Sequence, residues 1–161
     1  MQRTRALLGT VATLALAIAS WNADSQESRQ LERGKYMVLT GHRNNCHTAG
    51  YAQKESNVSE KDWLLGSGPQ GWRGPWGTTY ASNLRVNVNA MTEGEWVKYI
   101  KTLTARPPMP WWSVRETTEP DLRAMYRYIK SLGPAGEPAQ PYLPPDKEPR
   151  PPYIQYPMPP K

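Results

Sequence analysis

The 161-residue chain has one cysteine, no phenylalanine, no apolar run longer than 15 residues and no block of like charges. A single cysteine excludes a disulfide-stapled scaffold, because no intramolecular pair can form. Without a long apolar run the chain is not a long membrane protein, which needs stretches of roughly 20 apolar residues. A coiled coil and a repeat array are excluded by the missing heptad and the missing fixed period. The formal net charge is +6, with the charges interspersed, as in Arg29, Glu32, Arg33 and Lys35, so nucleic acid is not an expected partner. What the chain has instead is seven Trp and nine Tyr, all with a polar handle. They suit a core built around something polar at one edge. The length fits one domain with appendages.

Both ends read as appendages. Arg3 and Arg5 form a basic start, residues 6–20 are small and apolar, and Ala17 and Ala19 occupy the −3 and −1 positions of a leader cleaved after Ala19. Residues 1–19 are therefore expected to be a signal peptide, and the mature chain to be a periplasmic protein with no transmembrane segment. Loss of Arg3 and Arg5 leaves 18 basic and 14 acidic residues, a mildly basic balance that steers acidic partners without specificity. At the other end, 11 of the 17 prolines fall in residues 134–161. Such a segment cannot be helical and favours extended polyproline II. It is either a tail draped on the surface or a strap that docks on a partner.

Between these ends, three helices are expected. The first covers residues 27–41, with Gly34 marking a close approach of another backbone element. The second starts at Thr92, where Glu95 completes a capping box and Met91 and Trp96 form a hydrophobic staple. The third starts near Thr118 and stops at Gly133-Pro134, with Leu122, Met125, Ile129 and Leu132 at helical spacing. Residues 62–90 read as a long loop rich in glycine and tryptophan, and loops of that length are usually functional. No alternating strand pattern stands out.

Chemistry concentrates at Arg43-Asn44-Asn45-Cys46-His47-Thr48 and at Pro107-Pro108-Met109-Pro110. The spacing Arg43-x-x-Cys46-His47 is that of a haem-attachment motif whose first cysteine is replaced. Together with Arg33-Gly34-Lys35-Tyr36, Gly74-Pro75-Trp76-Gly77, Tyr80, Asn83-Leu84 and Asp121-Leu122-Arg123-Ala124, the ordered set resembles the class I cytochrome c family, in particular bacterial periplasmic single-haem members. The resemblance covers roughly residues 32–133.

The resemblance implies an all-α, cytochrome c-like haem domain over residues 27–133, with three main helices and long loops around one haem, followed by the extended proline-rich tail at 134–161. It implies iron ligation by His47 and Met109, with the second His47 ring nitrogen donating to the Pro75 carbonyl. Trp72, Trp76, Tyr80 and Asn83 would line the pocket or bond the propionates, and Gly34 would admit Tyr128 or Met125 of the last helix. A His/Met pair raises the reduction potential relative to two nitrogens. With Arg43 in place of the first cysteine, the haem is attached by one thioether at Cys46, or held noncovalently, or lost. The implied role is electron transfer with redox partners such as a periplasmic dehydrogenase or a terminal oxidase. Two filled axial positions argue against an enzyme. The competing reading is a haem-free interaction module that docks through its proline-rich tail.

Overall fold

The computed structural model describes residues 24–160, so the expected leader at 1–19 lies outside the described residues. Helix α1 covers residues 24–40. It is followed by α2 (Arg43–His47), a 3-10 turn (Glu60–Asp62), strands β1 (Gly71–Gly74) and β2 (Gly77–Thr79), helices α3 (Leu84–Asn89), α4 (Glu93–Lys101), α5 (Trp111–Arg115) and α6 (Glu119–Ser131), and β3 (Tyr153–Gln155).

The helices form where the local signals place them. Thr92 caps α4 with the expected box, its side chain accepting from the Glu95 amide while Glu95 reaches back to the Thr92 backbone. Thr118 caps α6 and Pro120 sits in its first turn, where a missing N–H costs nothing. Trp96, Val97 and Ile100 of α4 and Leu122, Met125 and Ile129 of α6 are buried, so the two helices meet through their apolar stripes. Val38 of α1, Trp63, Leu64 and Val88 complete that core.

Helix α1 crosses α6 at Gly34. A Cβ there would overlap the Ala124 carbonyl oxygen and lie 2.6 Å from the Tyr128 Cβ, so a residue without a side chain is what lets the helices touch. Polar clips flank the crossing: Arg33 Nε to Asp121 at 2.7 Å, and Tyr128 Oη and Lys35 Nζ both donating to Glu60, at 2.6 and 2.7 Å.

The fold class expected from the sequence requires correction. The chain is not all-α with three helices, because the described residues hold six helices and a mixed three-stranded sheet of order β2-β1-β3. Strands β1 and β2 form an antiparallel hairpin turned by Pro75-Trp76, with Gly74 opposite Gly77. Strand β3, from the proline-rich segment, pairs parallel to β1, with Trp72 opposite Ile154. Strands of three or four residues, several of them glycine, are too short to display a two-residue alternation. Among the described residues no helix is long and apolar enough to cross a membrane.

Candidate functional site

His47 ends α2 and is held by its backbone. Its carbonyl accepts from the Gly66 amide at 2.8 Å. Next to it, the Thr48 hydroxyl donates to Asn44 Oδ1 at 2.9 Å and accepts from the Leu64 amide at 2.8 Å. Each of these bonds is buried, so the end of α2 is a rigid platform. The imidazole itself is 6% exposed. Its Nδ1 lies 2.8 Å from the Ser82 carbonyl oxygen. A carbonyl only accepts, so Nδ1 carries the proton and Nε2 keeps its lone pair. The expected acceptor, Pro75, is corrected to Ser82: Pro75 occupies the exposed hairpin turn.

Burial pushes the His47 pKa down to about 4, against the bond to Ser82, which raises it; the nearby Arg43 guanidinium lowers it further. The ring is therefore a neutral donor of an electron pair at neutral pH. Burial likewise pushes the Cys46 thiol up, with Arg43 opposing, and holds Arg43 below its ordinary value. Arg43 is half-buried and has no acidic partner among the described residues.

Cys46, His47 and Met109 line one cavity of ≈ 280 Å³. Its walls are Trp72, Leu84, Trp96, Tyr99, Ile100 and Leu103, and polar groups from Tyr80, Ser82 and Arg106 also reach it. Met109 sits 62 positions after His47, in a loop tied to β2 by the Thr79 hydroxyl, which donates to the Pro107 carbonyl at 2.7 Å. Arg115 braces the same loop, with Nε donating to Leu103 O at 2.6 Å and its guanidinium 4.5 Å from the Trp111 ring centroid. Trp96 is 2% exposed, and its buried Nε1–H has no hydrogen-bond partner among the described residues. A buried donor left unpaired costs about 1–3 kcal/mol.

Two other expected site residues, Asn83 and Trp76, lie elsewhere. Asn83 caps α3, its Oδ1 accepting from the amides of Arg85 and Val86 and its Nδ2 donating to Ala135 O at 2.8 Å. Trp76 packs edge-on against Tyr156, with ring centroids 5.1 Å apart. Neither lines the cavity; Tyr80 and Trp72 do. Sequence reasoning missed Ser82, Trp96, Arg106, Gln140 and Tyr142. A pocket-side residue on α4 was discernible from its helical position, since Trp96 and Tyr99 lie near the stripe of α4. Nothing local marks Ser82 or the residues of the proline-rich segment.

The buried imidazole ties stability to pH in the ligand-free chain. Its pKa falls from 6.5 unfolded to about 4 folded, so the unfolded state takes up the proton first as pH drops. The stabilisation is complete above pH 6.5 and lost as pH falls towards 4, about 3 kcal/mol in all. Urea unfolding at pH 7 and pH 4 should show this loss, and His47→Gln should flatten it. An unchanged slope in that variant would assign the acid sensitivity to other groups.

Comparisons with protein-family models, with curated proteins and with solved structures returned no match.

Proposed function

We propose that this chain is a haem-binding electron-transfer protein in which His47 and Met109 are the axial ligands and Cys46 supplies a single thioether. One observation carries the reading: the adjacent Cys46 and His47, and Met109 from 62 positions after His47, line the same largely apolar cavity. His47 contributes a neutral imidazole with its Nδ1 already committed to a carbonyl, which is how metal-ligating histidines are oriented.

The donor set suits a porphyrin better than a bare ion. Among the described residues, no three His, Cys, Asp or Glu side chains converge as ligands. A metal that arrives with four equatorial nitrogens needs only two more donors, and an apolar wall suits the macrocycle faces. Trp96 Nε1–H offers an unused donor to an acceptor such as a propionate. The group supplies a one-electron couple at iron when bound. The protein's part is to exclude water with the Trp72, Leu84 and Ile100 walls, to fix the imidazole through Ser82, and to hold the thioether of Met109 in a loop whose prolines lower the entropy lost on ligation.

On this reading the protein is not an enzyme, because both axial positions are taken by its own side chains. The leader expected at 1–19 from the sequence pattern would direct export to the periplasm, where a dehydrogenase or a terminal oxidase would be its redox partner. The haem-free interaction module has less support, since Leu143 and Tyr153–Gln155 of the proline-rich segment already pair within the chain.

A pyridine haemochrome spectrum before and after acid–acetone extraction tests the proposal. Haem resisting extraction is the expected result, with an α band between those of two-thioether and noncovalent haem. Haem lost to the solvent would replace the thioether by noncovalent binding. No haem, in folded protein from cells that load their other cytochromes, would sink the reading. In the same assay Arg43→Cys is expected to increase the attached fraction by providing a second thiol.

A further inference from the structure

The proline-rich segment, expected to drape or to dock on a partner, instead builds part of the cavity. Gln140 and Tyr142 line it together with His47 and Met109. Leu143 exchanges both backbone bonds with Thr78 of β2, at 2.8 and 3.0 Å, and Tyr142 Oη donates to the Trp76 carbonyl at 2.8 Å. Further along, Gly71 N–H donates to Pro152 O at 3.2 Å and Tyr156 N–H to Arg73 O at 2.7 Å, and Glu148 pairs with Arg73. Two residues allow this, Gly77 and Asn83. Gly77 has φ +97°, and a Cβ there would overlap the Leu143 carbonyl oxygen and lie 2.9 Å from the Tyr142 ring. Asn83 Nδ2 anchors the start of the segment on the Ala135 and Glu137 carbonyls.

The same segment reaches the loop that carries Met109. The Arg106 guanidinium carbon lies 3.8 Å from the Tyr142 ring centroid, and Arg106 opens that loop and also lines the cavity. Thr79 holds the loop from β2. Strand β2 therefore stands between the Met109 loop and the segment 140–143, bonded to both, and Tyr142 and Arg106 join the two directly.

We propose that residues 140–156 are a strap coupled to the cavity's occupant: Gln140 and Tyr142 would meet a macrocycle bound there, that contact would favour the strap docked on the sheet, and the docked strap would brace the Met109 loop, with Tyr142 as the positioning residue. This rests on the haem reading of the cavity. The physical requirement is linkage. A group that contacts the docked strap, and loses that contact when the strap opens, stabilises docking by its differential affinity for the two states.

Hydrogen exchange on the full chain, with and without haem, tests the coupling, with the absorption spectrum of each sample reporting occupancy. The Leu143, Thr78 and Tyr156 amides report strap opening, because each donates across the strap–sheet junction. In haem-loaded protein they are expected to exchange at least about tenfold more slowly. Compared at haem occupancies matched by absorbance, Tyr142→Ala should lose most of that slowing; Tyr142→Phe, which keeps the ring over Arg106, should retain most of it. Haem absorbance with unchanged exchange at these amides would overturn the strap and leave the haem reading standing. Full slowing in Tyr142→Ala would overturn the role of Tyr142. Absence of haem absorbance in the wild-type chain would overturn both.

Discussion

Replacing His47 by glycine is expected to abolish the axial ligation proposed for the α2 side in haem-loaded protein, and added imidazole is expected to restore it. The reason lies in how the ring is mounted. The bonds that fix the end of α2 are made by the His47 carbonyl, the Thr48 hydroxyl and Asn44, none of which is removed with the ring. A buried imidazole taken from a rigid wall leaves a hole of its own shape, since close-packed interiors relax only partly. Free imidazole fits that hole, and the Ser82 carbonyl remains to accept its N–H. The readout is the visible spectrum, so the test does not depend on whether Cys46 keeps the haem attached. Met109→Ala is the contrast. On the proposed ligation it would leave His47 in place and free the position assigned to Met109, so small exogenous ligands such as carbon monoxide should bind the variant readily. A wild-type spectrum in His47→Gly would end the proposal that His47 is a ligand. Loss of the spectrum without rescue, in protein that still melts cooperatively, would show that the ring does more than ligate.

What was legible in the sequence was what local physics decides. The capping box at Thr92 and Glu95, the cap at Thr118 and the stop at Gly133 depend on neighbours within a few positions, and each forms. Gly34 was legible as a close approach because a glycine inside an otherwise good helix needs a reason, and Tyr128 and Ala124 supply it. The sheet was not legible. Strand β1 finds its parallel partner 82 positions away, and the pairing of Trp72 with Ile154 leaves no local trace. The site was half legible. Chemistry-bearing types at 46, 47 and 109 are visible as residues, but the acceptor for His47 rests on the family resemblance alone, which points to Pro75. The hairpin then carries Pro75 into solvent, and the bonds between Ser67 and Ala81, at 3.2 Å in each direction, bring Ser82 to the ring instead. The proline count favours a tail that lies outside the fold. Prolines remove donors, yet the non-proline residues between them, Leu143, Tyr153 and Tyr156, keep enough of them to join a sheet.

Arg85→Met is expected to destabilise the chain by about 3–5 kcal/mol, a large part of the 5–15 kcal/mol that holds a typical domain together. Arg85 is 6% exposed and has no carboxylate partner among the described residues. Its guanidinium is satisfied by carbonyls alone: Nε donates to Gly133 O and Nη1 to Lys61 O, both at 2.7 Å, and Nη2 donates to Leu132 O. Two of the three lie at the C-terminal end of α6, where unpaired carbonyls gather partial negative charge. The cation therefore replaces water for the end of a buried helix, and charge-assisted bonds in a dry site offset its own desolvation. Methionine keeps the length and loses every donor, leaving three carbonyls short of a partner at about 1–3 kcal/mol each, partly offset because no charge is buried. The melting temperature should fall by roughly 10 °C or more. Arg85→Lys should lie between, because one ammonium cannot reach three diverging carbonyls. A loss under about 1 kcal/mol in Arg85→Met would mean that the bonds merely repay the burial of the charge. The consequence for the site follows from position. Arg85 is three residues from Ser82 and two after the α3 cap Asn83, so the knot it ties between α3, the 3-10 turn and α6 is what keeps the Ser82 carbonyl aimed at His47. If that is right, the variant's acid sensitivity between pH 6.5 and 4 should weaken along with its stability, as the imidazole regains water.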